Sequence, residues 1–296
     1  MKTYKQYRLP ITSEFKKTII LGTIEGVNLT GQCDHNKAYV GVDVGSLATK
    51  SVVMLDGSIA GSSIIPTGVY PEKAGQEAME KALSAAGLGR SDTGFVVATG
   101  YGRITAKYAN KLVTEITCHA KGAGYLRPSA RTVIDMGGQD CKVIKLDREG
   151  NVEDFVMNDK CAAGTGRFLE VMANVFKVSL DELGPMAMRA NSVVPISSTC
   201  TVFAESEVIS MIARGEPPED ILKGVHQAIS NRVAAMASRV CPEPEMFFSG
   251  GVAKNPGMRA ALETALKSPV YVPDFDPQLV GALGAAVLAK SYGSKV

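Results

Sequence analysis

Residues 38–55 read AYVGVDVGSLATKSVVML, and residues 131–150 read RTVIDMGGQDCKVIKLDREG. In both, apolar residues alternate on either side of a Gly-containing tip. An aspartate precedes each tip, Asp43 in the first and Asp135 in the second. Alternation with period two around such a tip reads as strand, tight turn, strand. One plan used twice implies two duplicated α/β lobes facing each other across a cleft.

Working outward, residues 72–86 read as an amphipathic helix ended by Gly87, residues 95–98 as a short strand, and residues 104–124 as helical. After the second hairpin, one helix follows Cys161 and another follows Cys200. A long helix runs through residues 226–240, a buried strand through EMFFSGGVA (245–253), and a small-residue helix through GALGAAVLAK (281–290). These signals divide the chain into an N-terminal extension at 1–37, a first lobe at 38–135 and a second lobe at 136–296. The extension is polar and basic-leaning. It reads either as a tail or as an arm that contacts a partner chain.

Composition narrows the function classes. Apolar residues make up 45% and charged residues 21%, as in a soluble globular protein. A formal net charge of +2 gives no field directed at nucleic acid or a membrane surface. The absence of Trp and an aromatic share of 6% weaken any base-stacking role. The apolar run at 280–289 is well short of the roughly 20 residues a bilayer needs, and Lys2, Lys5 and Arg8 are not followed by a signal-peptide core. A cytoplasmic protein with reduced thiols is expected. Its six cysteines are then free, catalytic or metal-bound rather than disulfide-paired, and no CxxC pair suggests a zinc knuckle.

A turn carrying Gly, Ser and Thr presents unobstructed backbone amides that can wrap a phosphate chain. Gly45, Ser46, Thr49 and Lys50 provide this in the first hairpin. Asp43 and Asp135, one from each lobe, can hold Mg²⁺ through water, and Gln139 can orient an attacking water. Gly250 and Gly251 let a base or ribose approach the backbone closely. The plain alternative is ordinary hairpin geometry, since neither GxxxxGK[ST] nor GxGxxG is present. Cys161 and Cys200 each precede a helix, where the dipole favours a thiolate. Spacing alone leaves two readings open: buried structural cysteines, or ligands of an iron–sulfur cluster.

The ordered set GVDVGSLATKSVV (41–53), VIDMGGQDCKVI (133–144) and FFSGGVAKNPGM (247–258) resembles the phosphate and adenosine motifs of the sugar kinase, actin and heat-shock-chaperone ATPases. The resemblance implies an α/β fold of two ribonuclease-H-like lobes, actin/hexokinase-like, clamping ATP or ADP with Mg²⁺. GALGAAVLA (281–289) resembles the C-terminal helix that returns to the first lobe. Gly137, Gly138 and Lys142 of the second motif, and Lys254 of the third, are carried over as nucleotide-binding positions.

NDKCAAGTGRFLEVMA (158–173) and ISSTCTVFAESEVIS (196–210) resemble the cysteine motifs of the activators of 2-hydroxyacyl-CoA dehydratases and the related ATPase subunits of benzoyl-CoA reductases. The resemblance implies one 4Fe–4S cluster per two subunits, with Cys161 and Cys200 as this chain's ligands. It further implies a homodimer or a heterodimer with a homologous ATPase subunit. ATP hydrolysis would drive a low-potential electron, received from a ferredoxin or flavodoxin, into an acyl-CoA dehydratase or reductase component. Nucleic acid and membrane are not expected partners. The rival readings are a small-molecule kinase of the same superfamily, a nucleotide-binding scaffold without a redox centre, and an activator of a related reductase with another small substrate. Cys33, Cys118, Cys141 and Cys241 fall off the ligand positions and read as structural. The stand-alone activators begin at the first phosphate strand, so the extension is a departure from the family pattern.

Overall fold

The computed structural model describes residues 37–158, 161–197 and 200–295. Apart from Lys37, the expected N-terminal arm lies outside the described residues, as does Cys33. The first quoted stretch forms β1 (Ala38–Val44) and β2 (Ala48–Leu55), antiparallel, with Asp43 directly opposite Lys50. A third strand, β3 (Ser58–Pro66), continues the meander; its Gly- and Ser-rich sequence hides it from pattern reading. Helix α1 (Pro71–Ala85) starts on a proline and stops before Gly87, whose φ is +73°. β4 (Thr93–Thr99) returns parallel to β1.

Residues 104–124 are not one helix. A 3₁₀ turn covers Tyr101–Thr105, and β5 (Lys111–Leu112) pairs parallel with β4. Only then does α2 (Glu115–Leu126) begin, capped by Thr114, whose side chain accepts from the Thr117 amide. Edge pairing therefore takes the residues that a helical period also fits.

The second stretch forms β6 (Thr132–Met136) and β7 (Cys141–Leu146), with Asp135 opposite Lys142. β8 (Val152–Asn158) adds the third antiparallel strand. Helices α3 (Gly166–Phe176), α4 (Leu180–Met188), α5 (Thr201–Ala213) and α6 (Pro218–Ala237) follow. Then come β9 (Met246–Ser249), α7 (Pro256–Leu266), β10 (Val270–Tyr271) and α8 (Val280–Gly293). The sheets run β3-β2-β1-β4-β5 and β10-β9-β6-β7-β8. Strand for strand they repeat one topology, including the aspartate–lysine pair across each hairpin. Because β6 pairs with β9 inside the second sheet, the lobe boundary falls ahead of Thr132 and not after Asp135.

Each sheet is covered on both faces. The outer face of the first packs Val40, Val42 and Val53 against Met79 and Leu83 of α1. The outer face of the second packs Ile134 and Val143 against α3 and α6 through Leu169, Met172, Val225 and Ile229. Between the sheets lie α8 and α2. α8 sets Ala282, Leu283 and Ala286 against Val52 and Met54, and α2 sets Ile116 and Ala120 against Ile144 and Phe247. The two helices touch through small residues; a methyl on Gly284 would collide with the Cys118 carbonyl. That explains the GALGAA composition of the last helix. The cysteine-bearing helices α3 and α5 both belong to the second lobe, so they do not lie between the lobes. Among the described residues, no helix is long and apolar enough to cross a membrane.

Packing between α6 and α7 encloses one titratable group. His226 is 1% exposed. Its Nδ1 lies 2.8 Å from the Leu222 carbonyl, and its Nε2 lies 3.1 Å from Asn255 Nδ2. Asn255 Oδ1 accepts from the Met258 amide, so Nδ2 is the donor facing His226. The neutral Nδ1–H tautomer satisfies both contacts, and burial lowers the pKa below the ordinary 6.5. The unfolded chain takes up this proton more readily, so the stability contribution is whole above about pH 6.5 and shrinks as pH falls below it. The urea midpoint is expected to drop between about pH 7.5 and about pH 5.5, and His226→Asn is expected to flatten that slope. An unchanged slope in the variant would assign the acid sensitivity elsewhere.

Candidate functional site

The hairpin tips of the two lobes face one cleft of about 450 Å³. β1 carries Asp43 to its floor from one side and β6 carries Asp135 from the other; they are 6% and 2% exposed. Lys50 Nζ is 3.1 Å from Asp43 Oδ2. Lys142 Nζ is 3.3 Å from Asp135 Oδ2, 2.8 Å from Asp140 Oδ2 and 3.8 Å from Glu115 Oε1. The register of each hairpin makes these pairs, because residues opposite each other on neighbouring strands share a face. The Asp135 carboxyl is held down at about 2. Burial alone raises it, but His119, Lys142 and the Ser249 hydrogen bond outweigh that effect.

Gly45, Ser46, Gly137, Gly138, Gly250 and Gly251 all line the cleft, as do Lys50, Lys142 and Lys254. The roles of these lysines differ. Lys50 stays partly exposed in front of the first turn, whereas Lys142 is buried among three carboxylates. Lys254 reaches Asp276 Oδ2 at 2.6 Å and Gln278 Oε1 at 2.8 Å. Gly250 adopts φ +86°, and a Cβ there would stand 2.9 Å from Asp135 Oδ1 while colliding with the Met136 carbonyl. The third motif thus passes directly beside the second.

Two sequence expectations are relocated. Thr49 is fully buried and lies behind the first turn: its hydroxyl meets Thr67 Oγ1 at 2.9 Å, and Thr67 donates to the Gly45 carbonyl. It braces the turn without facing the cleft. Gln139 is exposed and is not among the cleft residues, because the tip turns its side chain outward while Asp140 folds back onto Lys142. Conversely, Glu115 and His119 of α2 face the cleft. Their i, i+4 spacing is the sequence signal that reveals them as one helix face. Burial raises the Glu115 pKa, with Lys142 working against it.

The loop after β8 carries Cys161. Asn158 Nδ2 donates to the Cys161 and Ala163 carbonyls at 3.0 and 3.2 Å, and Thr165 Oγ1 donates to the Ala162 carbonyl at 2.6 Å. Three successive carbonyls are therefore pinned. Cys161 sits five residues before Gly166, the first residue of α3, and not at the helix cap itself. Cys200 is the N-cap of α5 and is exposed, and the Ser197 amide and hydroxyl meet Glu207 Oε1 of that helix. The outward face of α5 is apolar: Val202, Phe203 and Ile209 are 67%, 68% and 51% exposed. α3 is joined to the second hairpin tip. The Gly166 amide donates to the Gly137 carbonyl at 2.8 Å, and the Arg167 amide to the Gly138 carbonyl at 2.9 Å.

Comparison with known proteins agrees with this geometry. The model of the BadF/BadG/BcrA/BcrD ATPase family matches residues 40–289. The activator of lactoyl-CoA dehydratase of Anaerotignum propionicum is 47% identical over 257 residues, covering 86% of this chain and 98% of that protein. A benzoyl-CoA reductase subunit of Thauera aromatica is 35% identical over 222 residues, covering 73% of this chain and 78% of that protein. The structure of the activator of the 2-hydroxyisocaproyl-CoA dehydratase from Clostridium difficile with bound ADPNP superposes with a TM-score of 0.82 at 44% identity, covering 87% of this chain and 96% of that one. The fold is that of the actin/hexokinase-like ATPases.

Cys118 and Cys141 are fully buried, and burial pushes both thiols up to about 12. Neither forms a thiolate at neutral pH in the folded chain. Maleimide labelling of the native protein, freed of any metal, is expected to modify Cys200 and Cys241 first and to reach Cys118 and Cys141 only after unfolding. Mass spectrometry reads the order, and early labelling of Cys118 or Cys141 would contradict their burial.

Proposed function

The chain belongs to the BadF/BadG/BcrA/BcrD ATPase family, and on that basis we propose that it hydrolyses ATP to deliver a low-potential electron to a 2-hydroxyacyl-CoA dehydratase. The observation that carries the reading is the pair of amide bonds from α3 to Gly137 and Gly138. They tie a phosphate-facing turn to the helix that follows the Cys161 loop. Each backbone hydrogen bond is worth about 0.5–1.5 kcal/mol net. Two of them match the scale of ordinary allosteric coupling, about 1–3 kcal/mol. Coupling through them needs no rearrangement of the second lobe's core.

In the cleft, the amides of the Gly45–Ser46 and Gly137–Gly138 turns wrap the phosphates, and Lys50 faces their charge. Gly250, Gly251 and Lys254 border the adenosine side. Asp43 and Asp135 supply oxygen donors from opposite lobes, a set suited to Mg²⁺ that keeps waters and phosphate oxygens as its other ligands. Among the described residues, no group of three or more His, Cys, Asp and Glu side chains forms a self-contained metal site. A metal shared with phosphates and a cluster shared between chains need only two ligands from this one.

Cys161 and Cys200 fit a shared 4Fe–4S cluster: both are soft donors and both are accessible, and the Cys161 carbonyl is held by Asn158. Such a cluster, with the same pair from a second subunit, would supply one-electron transfer. The exposed apolar face of α5 beside Cys200 supports a second chain there. A ferredoxin or flavodoxin is the proposed electron source.

Anaerobic purification is expected to give roughly four irons per two chains. Cys161→Ser and Cys200→Ser are each expected to lose the iron yet keep nucleotide binding. Iron-free wild-type protein, or iron unchanged in either variant, refutes the cluster. The coupling has its own test. Proline is tolerated at the first position of a helix, so Gly166→Pro keeps α3 but replaces the amide donor with a ring carbon that pushes the Gly137 carbonyl away and breaks this tie. Gly166→Ala is the control for added bulk. ADPNP is expected to change the maleimide reactivity of Cys161 in Gly166→Ala but far less in Gly166→Pro. An equal response in both variants removes this link.

A further inference from the structure

The two cleft aspartates come from separate lobes, and one side chain faces both. His119 projects from α2 and is 6% exposed. Its Nδ1 lies 3.4 Å from Asp135 Oδ1 and 3.3 Å from Ser249 Oγ. Ser249 spends its single proton on Asp135 Oδ1, at 3.0 Å. Its oxygen therefore accepts, so Nδ1 of His119 carries the proton shared between Ser249 and Asp135. Nε2 points the other way. A methyl on Gly281 of α8 would stand 2.9 Å from Nε2 and 3.2 Å from Asp43 Oδ2. His119 Nε2 and Asp43 Oδ2 thus approach the same point of the α8 backbone, and His119 also lines the cleft.

We infer that His119 is a positioning residue for the metal's coordination sphere. Its Nδ1–H orients the Asp135 carboxylate, and its Nε2, on the Asp43 side of the ring, would accept from a water held by the metal. The inference rests on the reading of the cleft as a Mg²⁺–nucleotide site and extends it to a residue outside the phosphate motifs. Three features of the fold fit this role. α2 lies between the lobes and packs on the second sheet, so His119 belongs to neither hairpin. Ser249 fixes the tautomer from β9. Gly281 lets the α8 backbone pass beside both His119 Nε2 and Asp43 Oδ2, where a side chain would collide. Partners that orient a metal's ligands typically change affinity by about 10–100-fold when removed.

The test is binding of a fluorescent, non-hydrolysable ATP analogue, followed by anisotropy in excess Mg²⁺ and in EDTA. His119→Ala is expected to lower the Mg²⁺-dependent gain in affinity about tenfold and to leave affinity in EDTA unchanged. His119→Asn keeps a donor for Asp135 but lacks an acceptor at the Nε2 position, so it is expected to recover part of the gain. A wild-type gain in His119→Ala overturns the inference. So does an equal loss with and without Mg²⁺, which marks general damage to the cleft. If His119→Ala does not fold, a wild-type gain in His119→Asn overturns the acceptor role. If the wild-type protein itself shows no Mg²⁺-dependent gain, the metal reading of the cleft fails together with this one, and the two failures are thereby told apart.

Discussion

Two carboxylates taken out of water and aimed at one cleft set the terms for the rest of this molecule. A buried carboxylate costs several kcal/mol unless it is paired and hydrogen-bonded. Asp43 meets this cost with Lys50, and Asp135 with Lys142, His119 and Ser249. Lys142 in turn holds Asp140 and Glu115. The Asp135 network spans β6, β7, β9 and α2, while the Asp43–Lys50 pair stays within β1 and β2 of the first lobe. A cleft prepared in this way presents fixed charge without first reorganising.

The second constraint is mechanical. Residues of the Cys161 loop are fixed on three successive carbonyls, and α3 hangs from the second phosphate turn by its first two amides. A turn that moves to meet a phosphate must carry those carbonyls with it. The path from cleft to cysteine is thus a few backbone bonds long and stays within one lobe. Small changes at such a junction have discrete consequences because packed cores repack between states and do not deform smoothly.

The surface around Cys200 is constrained from outside. Large apolar side chains grouped on one exposed helix face mark a contact surface, and α5 leaves Val202, Phe203 and Ile209 to solvent in the single chain. Two thiols make half of a four-thiolate site. In the proposed two-subunit cluster, a second chain on this face would bring the other pair of thiols together with cover for these side chains.

Much of this is legible in the sequence because it is local. Period-two alternation around a Gly tip, an aspartate before the tip, and a lysine seven residues later fix each hairpin and its register. The Gly-rich third motif and the small-residue last helix are equally local signals. Other features depend on partners distant in the chain. Edge pairing with β4 claims residues 111–112 from an apparent helix, and β3 and β8 exist because a sheet edge was waiting for them. Gln139 and Thr49 carry suitable chemistry, but the turn faces one outward and buries the other. Glu115 and His119 lie far from every phosphate motif and reach the cleft only because α2 packs between the lobes. The sequence by itself determined the two hairpins and the chemistry they bear, since strand period and turn residues act over a few positions. Which side chains meet in the cleft was decided by tertiary structure alone, since that depends on how two sheets and two helices pack across more than two hundred residues.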